Sequence, residues 1–143
     1  MQNNGTPWAR AIAAVMLGFC LVSCANRSST VAEADYAAKI VGRWQGTVGD
    51  FKETMSINAN GTFVCQLHPR GFIANTLSQG VAGTIRGTWT ITGAIITLKI
   101  TAAENERLRD KIVSSTIMAF KGNRLVLKSD RGETSPFQRV HAL

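Results

Sequence analysis

Thr84-Ile85-Arg86-Gly87-Thr88-Trp89-Thr90-Ile91-Thr92 alternates without a slip. Ile85, Gly87, Trp89 and Ile91 fall on one face and Thr84, Arg86, Thr88, Thr90 and Thr92 on the other, which is the period-two signature of a strand with one dry side. Gly93 then turns the chain into a second strand, Ala94 to Ala102. The same period recurs from Arg43 onward, with glycine-marked turns every eight to ten residues, the pattern of a sandwich or antiparallel barrel. Eight strands are expected: 43–48, 52–58, 62–68, 84–92, 94–102, 111–121, 125–129 and 133–140. Asn60-Gly61 between the second and third favours a tight hairpin, because both central residues of such a turn need positive φ. Pro136 cannot donate to a ladder, so the last strand is expected to begin late or to carry a bulge there.

Strands linked in chain order by hairpins predict an up-and-down meander. Closing eight of them into a barrel removes the edges that would otherwise pair with other chains. The expected fold class is therefore all-β, an eight-stranded antiparallel up-and-down barrel preceded by a short N-terminal helix. Thr30-Val31-Ala32-Glu33 fits a capping box for that helix, Asp35 and Lys39 are spaced as an i,i+4 pair, Tyr36 and Ile40 share a face, and Gly42 is placed to end it. The inward set includes Trp44, Met55, Ile57, Phe63, Cys65, Ile85, Trp89, Ile96, Leu98, Met118, Phe120, Leu125, Leu127 and Phe137. An eight-stranded barrel is just wide enough to be filled by side chains or to hold one small ligand, and so many bulky groups predict a small cavity or none. Gly46 and Gly87 leave space in it, or merely let the strands coil.

The short helix running into Gly42-Arg43-Trp44 resembles the lipocalin and wider calycin pattern over about residues 31 to 140. Asn60-Gly61-Thr62-Phe63 and a second Gly-x-Trp, Gly87 to Trp89, are similar to motifs of small bacterial lipocalin-like domains. What the resemblance implies is a tryptophan of the first strand, Trp44, packed at the closed end beneath a basic residue near the last strand, for which Arg139 is the candidate. Trp44, Trp89 and Arg139 are thus assigned to barrel closure, a role a packed core alone also explains. The chain is shorter than a typical lipocalin and lacks its disulfides.

Leu21-Val22-Ser23-Cys24, at the end of an apolar run from Ala11 to Val22, resembles the lipobox of bacterial lipoprotein signal peptides. The run is far shorter than the ~20 residues a membrane-spanning helix needs, and small Ser23 suits a processing site. The expected organisation is a signal peptide over 1–23, a lipidated Cys24 and tether over 24–30, and the barrel domain over 31–143. Cleavage would leave 120 residues, enough for one domain. The resemblance implies acyl chains on Cys24, a membrane partner through that anchor, and, from Ala25, an outer-membrane location facing the periplasm.

The net charge of +7 falls to about +6 once Arg10 leaves with the signal. Basic residues are dispersed and not interleaved with aromatics, so no nucleic-acid footprint is expected. Cys65 remains as the lone thiol of the mature chain, a small core hydrophobe; His68 falls on the opposite strand face, away from a Cys–His pair. No phosphate loop, nucleophile elbow or metal-ligand spacing is present, so neither an enzyme nor a metal or other cofactor is expected. The longest connection, Pro69 to Gly83, carries Phe72, Ile73 and Leu77, assigned here to ligand or partner binding as a lid or rim. The leading expectation is an envelope lipoprotein binding a small apolar or amphipathic molecule. The other is a filled barrel that recognises an envelope protein, as an assembly subunit or an inhibitor of a lytic enzyme or protease.

Overall fold

The computed structural model describes residues 29–70 and 82–141. Within them the chain forms β1 (Gly42–Val48), β2 (Phe51–Ile57), β3 (Thr62–Pro69), β4 (Gly83–Thr92), β5 (Ile95–Ala103), β6 (Ile112–Lys121), β7 (Arg124–Ser129) and β8 (Thr134–Val140). Each pairs antiparallel with the next, and β8 returns to β1, so the sheet closes as an up-and-down barrel. Every strand end lies within a residue or so of the position that alternation and turn chemistry predict. Pro136 sits inside β8, opposite Val126 of β7, just beyond Phe137, where the ladder to β1 stops. Its missing N–H therefore disrupts no pairing, and β8 needs no late start.

One turn of 3₁₀-helix, Glu33–Asp35, runs into α1 (Tyr36–Lys39) ahead of β1. The expected capping box does not form. Thr30 instead makes a β-bridge to Lys121 and the Val31 N–H donates to the Phe120 carbonyl at 2.8 Å, so this segment joins the sheet before the helix begins at Ala32, which has no side-chain cap. Asp35 and Lys39 make no ion pair; the one found among the described residues joins Arg109 to Glu106. Tyr36 and Ile40 do share a face, with Ile40 fully buried and the Tyr36 ring 5.7 Å from that of Phe120.

The interior is packed from two sides. One cluster runs from Trp44, Ile57, Phe120 and Leu125 beside α1 to Met55, Ile96 and Phe137 further up the barrel, while Phe63, Cys65, Ile85 and Ile100 fill the wall made by β3, β4 and β5. Gly46 and Gly87 leave no void: a Cβ on Gly46 would come within 2.6 Å of the Phe137 ring, and one on Gly87 within 2.9 Å of the Phe63 ring. Large aromatics lie across the glycines, so the space they open is already used.

One expected inward residue faces out. Met118 is 56% exposed, and Ile117 is buried in its place. The ladder to β7 shifts register between Ile117 and Ala119, and this bulge reverses the phase of β6, so that Ile117 and Phe120 both point inward. Simple alternation cannot show this, because residues 117–120 are all apolar. The outward positions Lys52, Gln66, Arg86, Lys99, Lys128 and Gln138 are all exposed.

Candidate functional site

The closed end is built around Trp44 and Arg139, which are direct cross-strand partners on β1 and β8. The Arg139 guanidinium lies over the Trp44 ring, 4.3 Å from its centroid. It also donates to the Val41 carbonyl at 2.8 Å and to the Lys39 carbonyl, while the indole N–H of Trp44 donates to the Ile40 carbonyl at 2.7 Å. Three successive carbonyls at the end of α1, which no helical N–H can reach, are thereby satisfied by two side chains. Gly42 explains the first Gly-x-Trp: its φ is +141°, and a Cβ there would collide with Nη1 of Arg139. Trp89 stands apart on the opposite wall, half-buried, its indole N–H donating to the Asn58 carbonyl at 2.9 Å and so pinning the β2–β3 turn. These contacts make a floor.

The other end of the barrel carries the candidate site, a cavity of about 160 Å³. Val48, Met55, Leu98, Val113, Leu127 and Phe137 supply its apolar walls, with Ile96 beside them. Its polar groups are Glu53 on β2 and Ser115, Ser129 and Ser135 on β6, β7 and β8. Ser115 and Ser129 are cross-strand partners, and β6 is four strands from β2 around the barrel, so the hydroxyls face the carboxyl from the far wall. Val113 is 45% exposed, which places the mouth beside the start of β6. The volume is close to that of a cavity of about 150 Å³ that accepts benzene, and below the ~300 Å³ where pockets for drug-sized ligands begin. It admits a single ring or a short chain.

Glu53 is the residue that the expected site lacked. It occupies the same strand phase as Met55 and Ile57, both buried, and that phase is the only sign in the sequence that an acid points inward. One carboxyl oxygen accepts from the Cys65 thiol at 3.1 Å. Burial pushes the Glu53 carboxyl above its ordinary range, with the thiol contact opposing that in part. Burial, reinforced by the Glu53 charge and this hydrogen bond, pushes the Cys65 thiol up as well, so it is no nucleophile at neutral pH. The partner of Cys65 is thus Glu53 and not His68, which lies exposed on the outer face.

Phe72, Ile73 and Leu77, expected to bind ligand or partner, lie outside the described residues, as does Cys24. The connection from Ala103 to β6 is more than a solvated turn. Leu108 packs against the wall cluster, and the Glu104 carboxylate accepts the Thr84 N–H at 3.0 Å. Among the described residues there is no group of three or more side chains arranged to hold a metal ion, and no helix long and apolar enough to cross a membrane.

No family model matches the chain, and no curated protein does. Among solved structures, it is similar to an NMR structure of a protein from Bacteroides uniformis ATCC 8492, with a TM-score of 0.51 and 17% identity over 80% of this chain and 97% of that one. At that identity the likeness is one of fold, and it matches the barrel described above.

Proposed function

We propose that this chain is a lipid-anchored bacterial envelope lipoprotein of lipocalin-like type, whose barrel binds a small apolar or amphipathic molecule without transforming it. The observation that carries the binding role is the cavity at the open end, apolar on most of its wall and polar at a few fixed points, which is how small-molecule sites are built. The Trp44–Arg139 floor supports the lipocalin-like assignment, since it joins the residues which that resemblance pairs. The anchor rests on the run ending in Leu21-Val22-Ser23-Cys24, acylation there would hold the protein at a membrane, and Ala25 after the cysteine favours the outer one, facing the periplasm.

A protein-recognition role draws some support from Ile95, Ile112 and Met118, which are exposed on the outer face of β5 and β6. That reading supposed a filled barrel, and the cavity favours the small ligand. Native mass spectrometry of protein released from its own envelope tests the binding role: a co-purifying molecule of one-ring size supports it, and bare protein that also ignores a panel of small apolar probes refutes it. Metabolic acyl labelling tests the anchor separately. Incorporation that disappears in Cys24→Ser supports acylation at that thiol, and labelling that persists overturns it.

A further inference from the structure

We propose that the cavity selects a small primary amine with an apolar body, the ammonium group meeting the Glu53 carboxylate. This rests on the small-ligand reading above and specifies its chemistry. Among the described residues, only one carboxyl oxygen of Glu53 is used, by the Cys65 thiol. No side-chain oxygen or nitrogen among the described residues is both fully buried and unpartnered, so the second oxygen, which has no hydrogen-bond partner among those residues, keeps surface open to the cavity. An acid is thus aimed into an apolar space. Among the described residues, no lysine, arginine or histidine lines that space to neutralise it.

The chemistry of the walls selects among head groups. An anion would stand beside the acid with no positive group to compensate, a cost that excludes carboxylate ligands. A neutral alcohol makes an ordinary hydrogen bond. An ammonium makes a charge-assisted one in a setting of low dielectric, roughly twice as strong. It carries three donors, and the hydroxyls of Ser115 and Ser135 offer acceptors for those that Glu53 does not take, while Ser129 Oγ already accepts the Glu133 N–H. Proton balance is simple: a neutral amine takes the proton from Glu53, or an ammonium enters as that proton leaves to water. The apolar body then packs against Leu98, Val113 and Leu127.

Benzylamine, benzyl alcohol and benzoate share one ring and differ in the head group. Titrating each into the delipidated protein at neutral pH, with the methyl resonances of Leu98, Val113 and Leu127 as the readout, tests the inference. Benzylamine is expected to bind about tenfold or more tightly than benzyl alcohol, with benzoate weakest. In Glu53→Gln, which keeps an acceptor for Cys65, the preference for the amine should vanish while the alcohol binds as before. Equal binding of amine and alcohol, or an amine preference that survives Glu53→Gln, overturns the amine assignment and leaves the small-ligand reading standing. Failure of all three probes to shift those methyls overturns both.

Discussion

Glu53 has its proton affinity raised by desolvation inside the barrel, so the folded chain holds a proton there more tightly than the unfolded chain. Between the unfolded value, near the ordinary 4.5, and the higher folded one, the unfolded chain has released the proton and the native chain keeps it. Stability must then fall as pH rises. The contribution of this group is fully present below the unfolded value and is lost as pH climbs through the folded one. Glu53→Gln cannot ionise, so in urea unfolding it should be more stable than the parent at about pH 8, with the difference shrinking towards about pH 4. A constant difference across that range would show that Glu53 titrates alike in both states. The position was legible in the sequence in one respect only. Its phase matches that of Met55 and Ile57, but acids so seldom point inward that phase alone does not single one out. Trp44 and Arg139 were more legible, because Trp44 sits in a Gly-x-Trp run, Arg139 lies near the last strand where the resemblance expects a basic residue, and their chemistry suits stacking.

Elements were read well wherever glycine punctuated the pattern, although Asn60 does not take the positive φ expected of the Asn60-Gly61 turn, and badly where the chain was apolar in both phases. β4 is the first kind. Thr and Arg alternate there with Ile, Gly and Trp, so the side facing the core is unambiguous. β6 is the second. Ile117, Met118, Ala119 and Phe120 fit either phase, and the bulge opposite β7 decides between them through backbone pairing that no residue type announces. The substitutions that check it are simple. Ile117→Ala should cost about 2 to 5 kcal/mol, as expected for a buried isoleucine, whereas Met118→Ser should fall within about 0.5 kcal/mol of the parent. Chemical denaturation of the two variants measures both, and the reverse order would remove the bulge. The lead-in to the barrel failed for a related reason. Thr30 and Glu33 have the right spacing for a cap, yet Thr30 finds a backbone partner in Lys121 instead, and a long-range bridge of this kind lies beyond local sequence.

For the molecule as a whole, up-and-down closure followed from strands linked in chain order and from the need to remove exposed edges. The cavity did not follow. Its walls include Phe137, whose ring lies across Gly46, and composition counts that ring without placing it. Closure also concentrates consequence on Arg139, which ties the last strand to the first and to the carbonyls that end α1. Arg139→Ala should lower stability by about 2 kcal/mol, from lost cation–π attraction and from carbonyls left without a donor. Arg139→Lys should recover little of it, since a single ammonium lacks the planar fork that reaches two carbonyls while stacking on an indole. Thermal unfolding checks both variants, and full recovery by lysine would mean that charge alone matters.

The bridge between Thr30 and Lys121 fixes where the polypeptide departs from the domain: beside the β6–β7 turn, at the sealed floor. From Cys24 to Thr30 the backbone can stretch at most about 20 Å. Under the acylation proposed for Cys24, a leash that short would keep the floor towards the lipid and turn the mouth of the cup away from it, so that the proposed ligand would be exchanged with the aqueous side and not drawn directly from the membrane beneath.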